Sequence, residues 1–527
     1  MGRRQIVFLS LIALQKIGRP FFLLFKKVWD VCLVILITFF PSKEDSHFVS
    51  SSAQPFVSII IVNFNGRALL EECLPSVFAL DFPKHRYEVI VVDNNSSDDS
   101  VQYVKKNFPQ VKLLEASENL GFTGGNNLGF SHAKGEYIVL LNSDVVVDKR
   151  WLRELVNSAQ PADVGLVSSK LYYNIPFIEL TLSTPTISRN DLNDSVDFSP
   201  VGIMIEDVVC ENSQLSNQVW YGPEFSQQKI SDVATRWTKG KAHILVPFPL
   251  VAGKKSAHSY KITVHGHDTD YKLVTPLTIK LEKNTLVKEV VSSREVQQYE
   301  LKISESMARP HFVWLVQNAG NIVLHDGYGK DRGSLLDSTN ARLQEFYEKD
   351  SAYFWEPSEL VAVCGASCLI KRAVVNHIGF LDGNYFMYYE DMDFSLRAWR
   401  AGWRLLYAPQ SIGYHKHRAT TGKNFSSFFI YLTEKNHLAF ILTHFPMRVF
   451  LQELTLLCAR LVVTGAKMSA YFFSENLERF VYWRAHFDGR KQAITSLVLQ
   501  LPNLLRNRWF WQRREKRSYK QLRRYIY

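Results

Sequence analysis

Cysteine in any ligand-like or cross-linking spacing is missing from this sequence. Its 527 residues hold six cysteines (Cys32, Cys73, Cys210, Cys364, Cys368 and Cys458), too scattered to form a disulfide framework. Only Cys364 and Cys368 stand close, and without a second pair of ligands they do not make a structural zinc site, which leaves buried thiols and fits a reducing compartment. Also missing is a long apolar run near the start. Residues 6–14 and 28–40 are apolar, but Lys16, Arg19, Pro20, Lys26, Lys27 and Asp30 separate or flank them, and neither reaches the roughly 20 residues of a spanning helix. No small-residue cleavage site closes an apolar core, which argues against a signal peptide. A single span with its basic end inside would carry everything after Phe40 away from the cytosol. Residues 1–54 are therefore expected to be interfacial helices, or a shallow hairpin, and a polar linker. No internal repeat is present.

Acidic residues are nearly absent from one place, and that is where the charge is. The formal net charge is +11, and between Arg506 and Arg524 nine Lys and Arg residues stand against Glu515 alone. Trp509, Phe510, Trp511, Tyr519, Tyr525 and Tyr527 interleave with them, a composition suited to anionic lipid headgroups. Nucleic acid or plain solvation would use the same charges. No recognised nucleic-acid module accompanies the tail, so the expected partner is a membrane surface and not nucleic acid.

A chain of this length predicts two or three folded units. After the linker the pattern alternates strand and helix. The run FVSIIIVN, Phe56 to Asn63, reads as a buried parallel strand, followed by a helix from about Arg67 to Leu80 and a strand ending on Asp93. Ser100 to Asn107 reads as a helix and Val111 to Glu115 as a strand. Gly121 to Gly125 reads as a glycine-rich turn into another helix, and Tyr137 to Leu141 as a fourth strand ending in Asn142-Ser143-Asp144. Such units form a doubly wound sheet, whose ligands bind at the carboxyl ends of the strands. Between 195 and 310 short alternating runs bounded by Gly, Lys, Asn and Ser predict an inserted β-sandwich. The α/β texture returns over 311–427, and 428–527 reads as helical, leading into the basic tail.

The order and spacing of VSIIIVNFNG, EVIVVDNNSSDDS, ENLGFTGGNN, YIVLLNSDVVV and CGASCLIKRAVVNHIGFLDGNYFMYYEDMDFSLRAWRAGWRLLYAP resemble the family 2 glycosyltransferases with a GT-A fold. The resemblance covers Val57 to Trp151 and Val361 to Tyr414, under half the chain, and is silent on the insert. QNAGNIVLHDGYGKDRG, Gln317 to Gly333, adds similarity to the rhamnosyltransferase-like subgroup that builds bacterial surface polysaccharides. The implied fold class is α/β: a GT-A doubly wound mixed sheet with an inserted β-sandwich-like domain and membrane-associated helices at both termini.

The resemblance implies an inverting transfer of a hexose, rhamnose or similar, from a nucleotide-diphosphate donor to a glycan or lipid-linked acceptor at the cytoplasmic face of a membrane. Each part of the donor needs its own partner. Asp93 would face a uracil or thymine ring, with Asn63 and Asn65 in the same pocket; taken alone, a strand-end Asp is a turn former. Gly121, Gly124 and Asn127 would let backbone approach the donor. A divalent cation, Mg2+ or Mn2+, would neutralise the leaving diphosphate. The family's metal motif has two aspartates one residue apart, and here Asn142 replaces the first. Asp144 would bind the ion and Asn142 the ribose or sugar. The second ligand is His415 or His417, with the match favouring His415. Inversion needs a carboxylate opposite the leaving group, and Asp391 matches the base position. Glu390 would support it or touch the acceptor, and Asp393 would pair with Arg397; read without the family, these are an acidic helix start. The HGHDTD stretch from His265 reads as a hairpin turn. The rival to an enzyme is a carbohydrate-binding or scaffold protein of the same shape without turnover.

Overall fold

A computed structural model describes residues 55–526 apart from 186–202, 217–218, 223, 231–232, 239, 251–255, 266–273, 293–295, 337–344, 417–425 and 475. The expected N-terminal membrane segment, His417 and most of HGHDTD lie outside the described residues.

β1 (Val57–Asn63), α1 (Arg67–Phe78), β2 (Tyr87–Asp93), α2 (Ser100–Asn107), β3 (Lys112–Glu115), α3 (Gly121–His132) and β4 (Tyr137–Asn142) alternate along the chain. β1 pairs in parallel with β2 and β4, and β2 with β3, so the sheet winds both ways from β1. The strands read as continuous apolar runs because both faces are covered. Ile59 and Ile61 pack under α1 with Leu70 and Leu74, while Ile60 faces the other layer with Ile138 and Phe394. α1 buries Leu70, Cys73, Leu74 and Val77, one stripe at helical spacing.

β5 (Val145–Val147), α4 (Trp151–Ser158) and β6 (Val164–Tyr173) complete the first half. The second half supplies β7 (Leu315–Asn318), β8 (Ser334–Leu336), β9 (Glu345–Lys349), β10 (Ser358–Leu360), β11 (Ser367–Lys371), α5 (Arg372–Ile378), α6 (Glu390–Arg400) and β12 (Arg404–His415). The central order is β8-β9-β7-β6-β11-β4-β1-β2-β3, with β12 beside β6 and β5. β11 runs antiparallel between β4 and β6, so the sheet is mixed.

Between the halves stand two antiparallel sheets. One holds Phe225–Ile230, Val233–Thr238, Met204–Cys210, Ala257–His265 and Val296–Ser304; the other holds Asn284–Ser292, Val274–Leu281, Phe177–Ser183, Lys241–Pro247 and Trp220–Tyr221, with Phe312–Val313 at its side. Ile178, Leu180 and Ile244 of one meet Ile205, Ile262 and Leu301 of the other in a single apolar cluster, so the pair is a β-sandwich. Its first strand is Phe177–Ser183, paired with Lys241–Pro247. This corrects the boundary expected at 195. FIELTLS alternates like any half-buried strand, and nothing local tells which sheet it will join.

Three long helices, α7 (Ser427–His444), α8 (Met447–Phe473) and α9 (Leu477–Arg514), and a single turn, Tyr519–Leu522, follow. The basic tail is not wholly free for a membrane, as composition suggested. Arg508 Nη1 donates to the carbonyls of Leu442 and Phe445, each at 2.6 Å, at the C-terminal end of α7, where carbonyl oxygens attract cations. Arg517 donates to the carbonyls of Trp403 and Gly402, and Glu515 pairs with Arg400 at 3.1 Å. These contacts bind the tail to the catalytic half.

Candidate active site

The ends of β1 and β2 bring three of the expected donor residues together. Asn63 and Asp93 are register partners, and Asn63 Nδ2 donates to Asp93 Oδ1 at 3.1 Å. Asp93 Oδ2 accepts from the Ser96 N–H at 2.9 Å, closing the turn expected of a strand-end Asp. Each carboxylate oxygen retains a lone pair for a further donor such as a base N–H. Asn65, at φ +49°, accepts from the Ser97 N–H at 2.7 Å and so ties the loop after β1 to the loop after β2. Asn142 ends β4 one register step away, opposite Val62.

Gly121 and Gly124 have a different local structure from the turn expected of them: both lie in the first turns of α3. A Cβ at Gly121 (φ +68°) would fall 2.4 Å from the Phe386 carbonyl oxygen, and at Gly125 and Gly129 it would strike Val62 and Ile60 at 2.7 and 2.5 Å. The glycines seat the helix against β1. Tertiary packing thus outweighs glycine's poor helix propensity, and the close backbone approach is to protein. Asn127 also reaches across the molecule, donating to the Leu381 carbonyl at 3.0 Å, and its Oδ1 is buried without a partner among the described residues.

Asp144 and His415 do meet. His415 Nε2 lies 3.2 Å from Asp144 Oδ1, with both side chains buried. Gln317 fixes the ring: its amide nitrogen donates to Asp331 at 2.9 Å, which turns its Oε1 toward His415 Nδ1 at 2.8 Å. Nδ1 therefore donates to Gln317, and Nε2 is the ring nitrogen turned toward the carboxylate oxygen. An imidazole nitrogen beside a carboxylate is a donor pair that a divalent cation can use. Among the described residues no group of three or more His, Cys, Asp or Glu side chains is placed to hold a metal. Two protein ligands, with diphosphate oxygens and water for the rest, suit Mg2+ or Mn2+, and the residues fit the implied ion.

Asp391 stands in the first turn of α6, held by three donors. Its Oδ2 accepts from the Gly365 N–H and from Asn321 Nδ2, each at 3.0 Å, and its Oδ1 from the Met392 N–H at 2.8 Å. Burial raises the Asp391 carboxyl above its ordinary range, and the donors oppose that rise. Glu390 is pushed well above its usual value by burial and then by the charge of Asp391, and its Oε2 has no partner among the described residues. Both carboxyls are raised by burial, Glu390 the further, because the three donors that hold Asp391 favour its charged form. Asp393 is not in this pair. It bonds Arg397 Nε at 2.8 Å, as expected, and His444 Nε2 at 2.8 Å.

Sequence reading missed what holds the segment before Asp391. Tyr388 and Tyr389 both have φ +72°, a conformation that costs a non-glycine residue of order 1 kcal/mol or more. Asn436 of α7 donates to the Met387 and Tyr388 carbonyls at 2.8 and 2.9 Å, and Lys435 to that of Asn384 at 2.7 Å. The polar run Glu434 to His437 inside an apolar helix was the available signal. Also missed were Gln317, Asn318, Asn321 and Asp331, a polar set with no periodicity. Asp331 accepts from Gln317 on one oxygen and from Asn318 on the other, Asn318 donates to Asn321, and Asn321 to Asp391.

Residues 58–203 match the family described as Glycosyl transferase family 2, and residues 319–481 the one described as Glycosyl transferase family group 2. The chain belongs to the family 2 glycosyltransferases. The stretch between these two matches holds most of the sandwich, so this glycosyltransferase carries its mixed GT-A sheet in two pieces around an insert. It is similar to the glycosyltransferase AglE of Haloferax volcanii, 29% identical over 24% of this chain and 42% of that protein. It is also similar to the poly(ribitol-phosphate) beta-glucosyltransferase of Bacillus spizizenii, 33% identical over 22% of this chain and 19% of that protein. The chain thus spans less than half the length of either relative. Among solved structures, S. aureus TarS 1–349 in complex with UDP-GlcNAc is 27% identical over 22% of this chain and 34% of that one, at a TM-score of 0.21.

Proposed function

We propose that this glycosyltransferase moves a hexose, with inversion, from a nucleotide-diphosphate donor to a hydroxyl of a glycan or lipid-linked acceptor, at the cytoplasmic surface of a membrane. The observation that carries the reading is the pairing of a buried, donor-held carboxylate at Asp391 with a cation-ready His415–Asp144 pair, both on one polar network. Asp391 takes the proton of the acceptor hydroxyl, its oxygen attacks the anomeric carbon, and the bond from that carbon to the diphosphate breaks. His415 and Asp144 would hold Mg2+ or Mn2+, which neutralises charge on the departing diphosphate. Asp93, Asn63 and Asn65 receive the base, and Asn142 the ribose or sugar. One relative is a poly(ribitol-phosphate) beta-glucosyltransferase, which favours an envelope polymer as acceptor. A binding or scaffold role would leave the raised, strained carboxylate site without a purpose.

The test is a panel of UDP-, dTDP- and GDP-sugars with Mn2+, scored by released nucleotide diphosphate. At least one donor should be consumed, and faster with envelope-lipid extract present. Binding without any consumption would leave the scaffold reading standing in its place.

A further inference from the structure

α8 is built inside out. Its two mid-helix charges point into the protein: Glu453 is 4% exposed, and Arg460 lies 3.5 Å from Glu434 and 4.0 Å from Glu453 and donates to the Tyr328 hydroxyl at 3.1 Å. Phe450, Leu457 and Thr464 are buried on the same face. The rest of the helix surface is open and mostly apolar, with Gln452, Thr455 and Ser469 the exposed uncharged polar residues among it. Leu451, Leu456, Val462 and Val463 are 46–51% exposed, and Phe472 and Phe473 at its end 62% and 82%. The helix is long and apolar enough to cross a membrane, yet only 22% of its most apolar window is buried. In water this is the reverse of a stable amphipathic helix.

We propose that α8 lies along a bilayer surface with its outer face among the acyl chains, and does not pass through. A transbilayer placement would draw Glu453, Arg460 and their catalytic-half partners Glu434 and Tyr328 into hydrocarbon, at several kcal/mol per charge. Lying in the plane keeps them on the protein side. Cations stand along the same stretch of chain: Arg448 is exposed at the start of α8 and Lys467 near its end, and in α9 Arg479 donates to the Tyr471 hydroxyl at 3.1 Å and Arg484 lies 3.6 Å from Asp488. Tyr482 and Trp483, with Lys467 over the Trp483 ring at 4.2 Å, supply interfacial aromatics. A second copy on this face, related by a two-fold axis, would set one end's cations against the other's. The proposal rests on the membrane element of the functional reading and not on its chemistry.

Full-length protein carrying an environment-sensitive fluorophore on Val463→Cys, or separately on Leu451→Cys, is mixed with phosphatidylcholine–phosphatidylglycerol vesicles; unsubstituted protein is the labelling blank and Gln492→Cys on exposed α9 the control. Both α8 labels should shift to the blue and be quenched by lipid-borne spin labels at one common shallow depth, with the control unmoved. The pair Leu456→Glu and Val463→Glu should weaken vesicle binding about tenfold or more, and donor turnover in solution should stay as in the parent. Equal behaviour with and without vesicles overturns the proposal, as does a blue shift that follows protein concentration without lipid, the mark of a second copy. Depths that differ by most of the roughly 18 Å separating the two labels along a helix would show a span and overturn the in-plane placement. Intact vesicle binding by the Glu pair overturns the proposal, whereas unsubstituted protein that binds vesicles but turns over no donor would count against the catalytic reading alone.

Discussion

His415 and Asp391 are the two ends of one chain of hydrogen bonds. Gln317 meets the His415 ring at 2.8 Å, Asp331 receives both Gln317 and Asn318, and Asn321 donates to Asp391 at 3.0 Å. One segment, residues 317–331, therefore positions both His415 and Asp391, the proposed cation ligand and base. Misplacing it by a fraction of an ångström affects both sides of the reaction.

The Asn321 contact makes a signed prediction about pH. Asn321 donates to the Asp391 carboxylate, which favours the charged form, so Asn321→Ala should raise the base's pKa further. The acid limb of kcat should move alkaline by up to about one unit, the worth of one hydrogen bond to a charged group. A pH–rate profile checks it. An unmoved limb would separate Asn321 from the base.

Removing either cation ligand should act on the other substrate. Asp144→Ala and His415→Ala should weaken donor binding and flatten the Mn2+ dependence, with the acid limb unchanged. Gln317→Leu leaves the ligands in place but frees the imidazole, and should weaken the metal response about tenfold to a hundredfold. Calorimetric titration of Mn2+ with nucleotide diphosphate reads all three. Tight Mn2+-dependent binding by Asp144→Ala would remove the ion from this pair.

Acid should loosen the C-terminal helices first. Burial pushes His437, His444 and His486 each down to about 4. The unfolded chain takes up protons on these rings near pH 6.5, while the folded chain does not until about 4, so stability is full above 6.5 and falls toward pH 4. The most buried of the three, His444, is worth on the order of 3 kcal/mol over that window. Denaturant midpoints at pH 7 and pH 5 should therefore differ, and His444→Asn should shrink the difference. Equal midpoints would contradict the burial argument.

Some of this was plain in the sequence. β1, β2 and β4 were legible because a strand covered on both faces must be apolar throughout, and the acids that follow them could only stand at the sheet's carboxyl edge. Asp144, His415 and Asp391 were singled out through the spacing of family motifs, and the fold sets His415 beside Asp144 and holds Asp391 on three donors. The rest depended on partners far along the chain. Gly121 to Gly125 read as a turn because glycine disfavours helix, and only Ile60 and Val62 of β1 reveal why α3 needs it. Asp331 and Asn321 are meaningful only when Gln317 and Asp391 stand beside them. Asn436 looks misplaced in an apolar helix until the left-handed Tyr388 and Tyr389 appear against it.

The most direct test of the central claim is donor turnover by Asp391→Asn, measured with its donor affinity. The amide keeps the shape and removes the basicity, so turnover should fall by about 10² or more while donor binding stays as in the parent. Glu390→Gln should fall less, since Asp391 alone is held by the three donors that favour its charged form. Near-full turnover by Asp391→Asn, with Glu390→Gln inactive, would contradict the account and move the base to its neighbour.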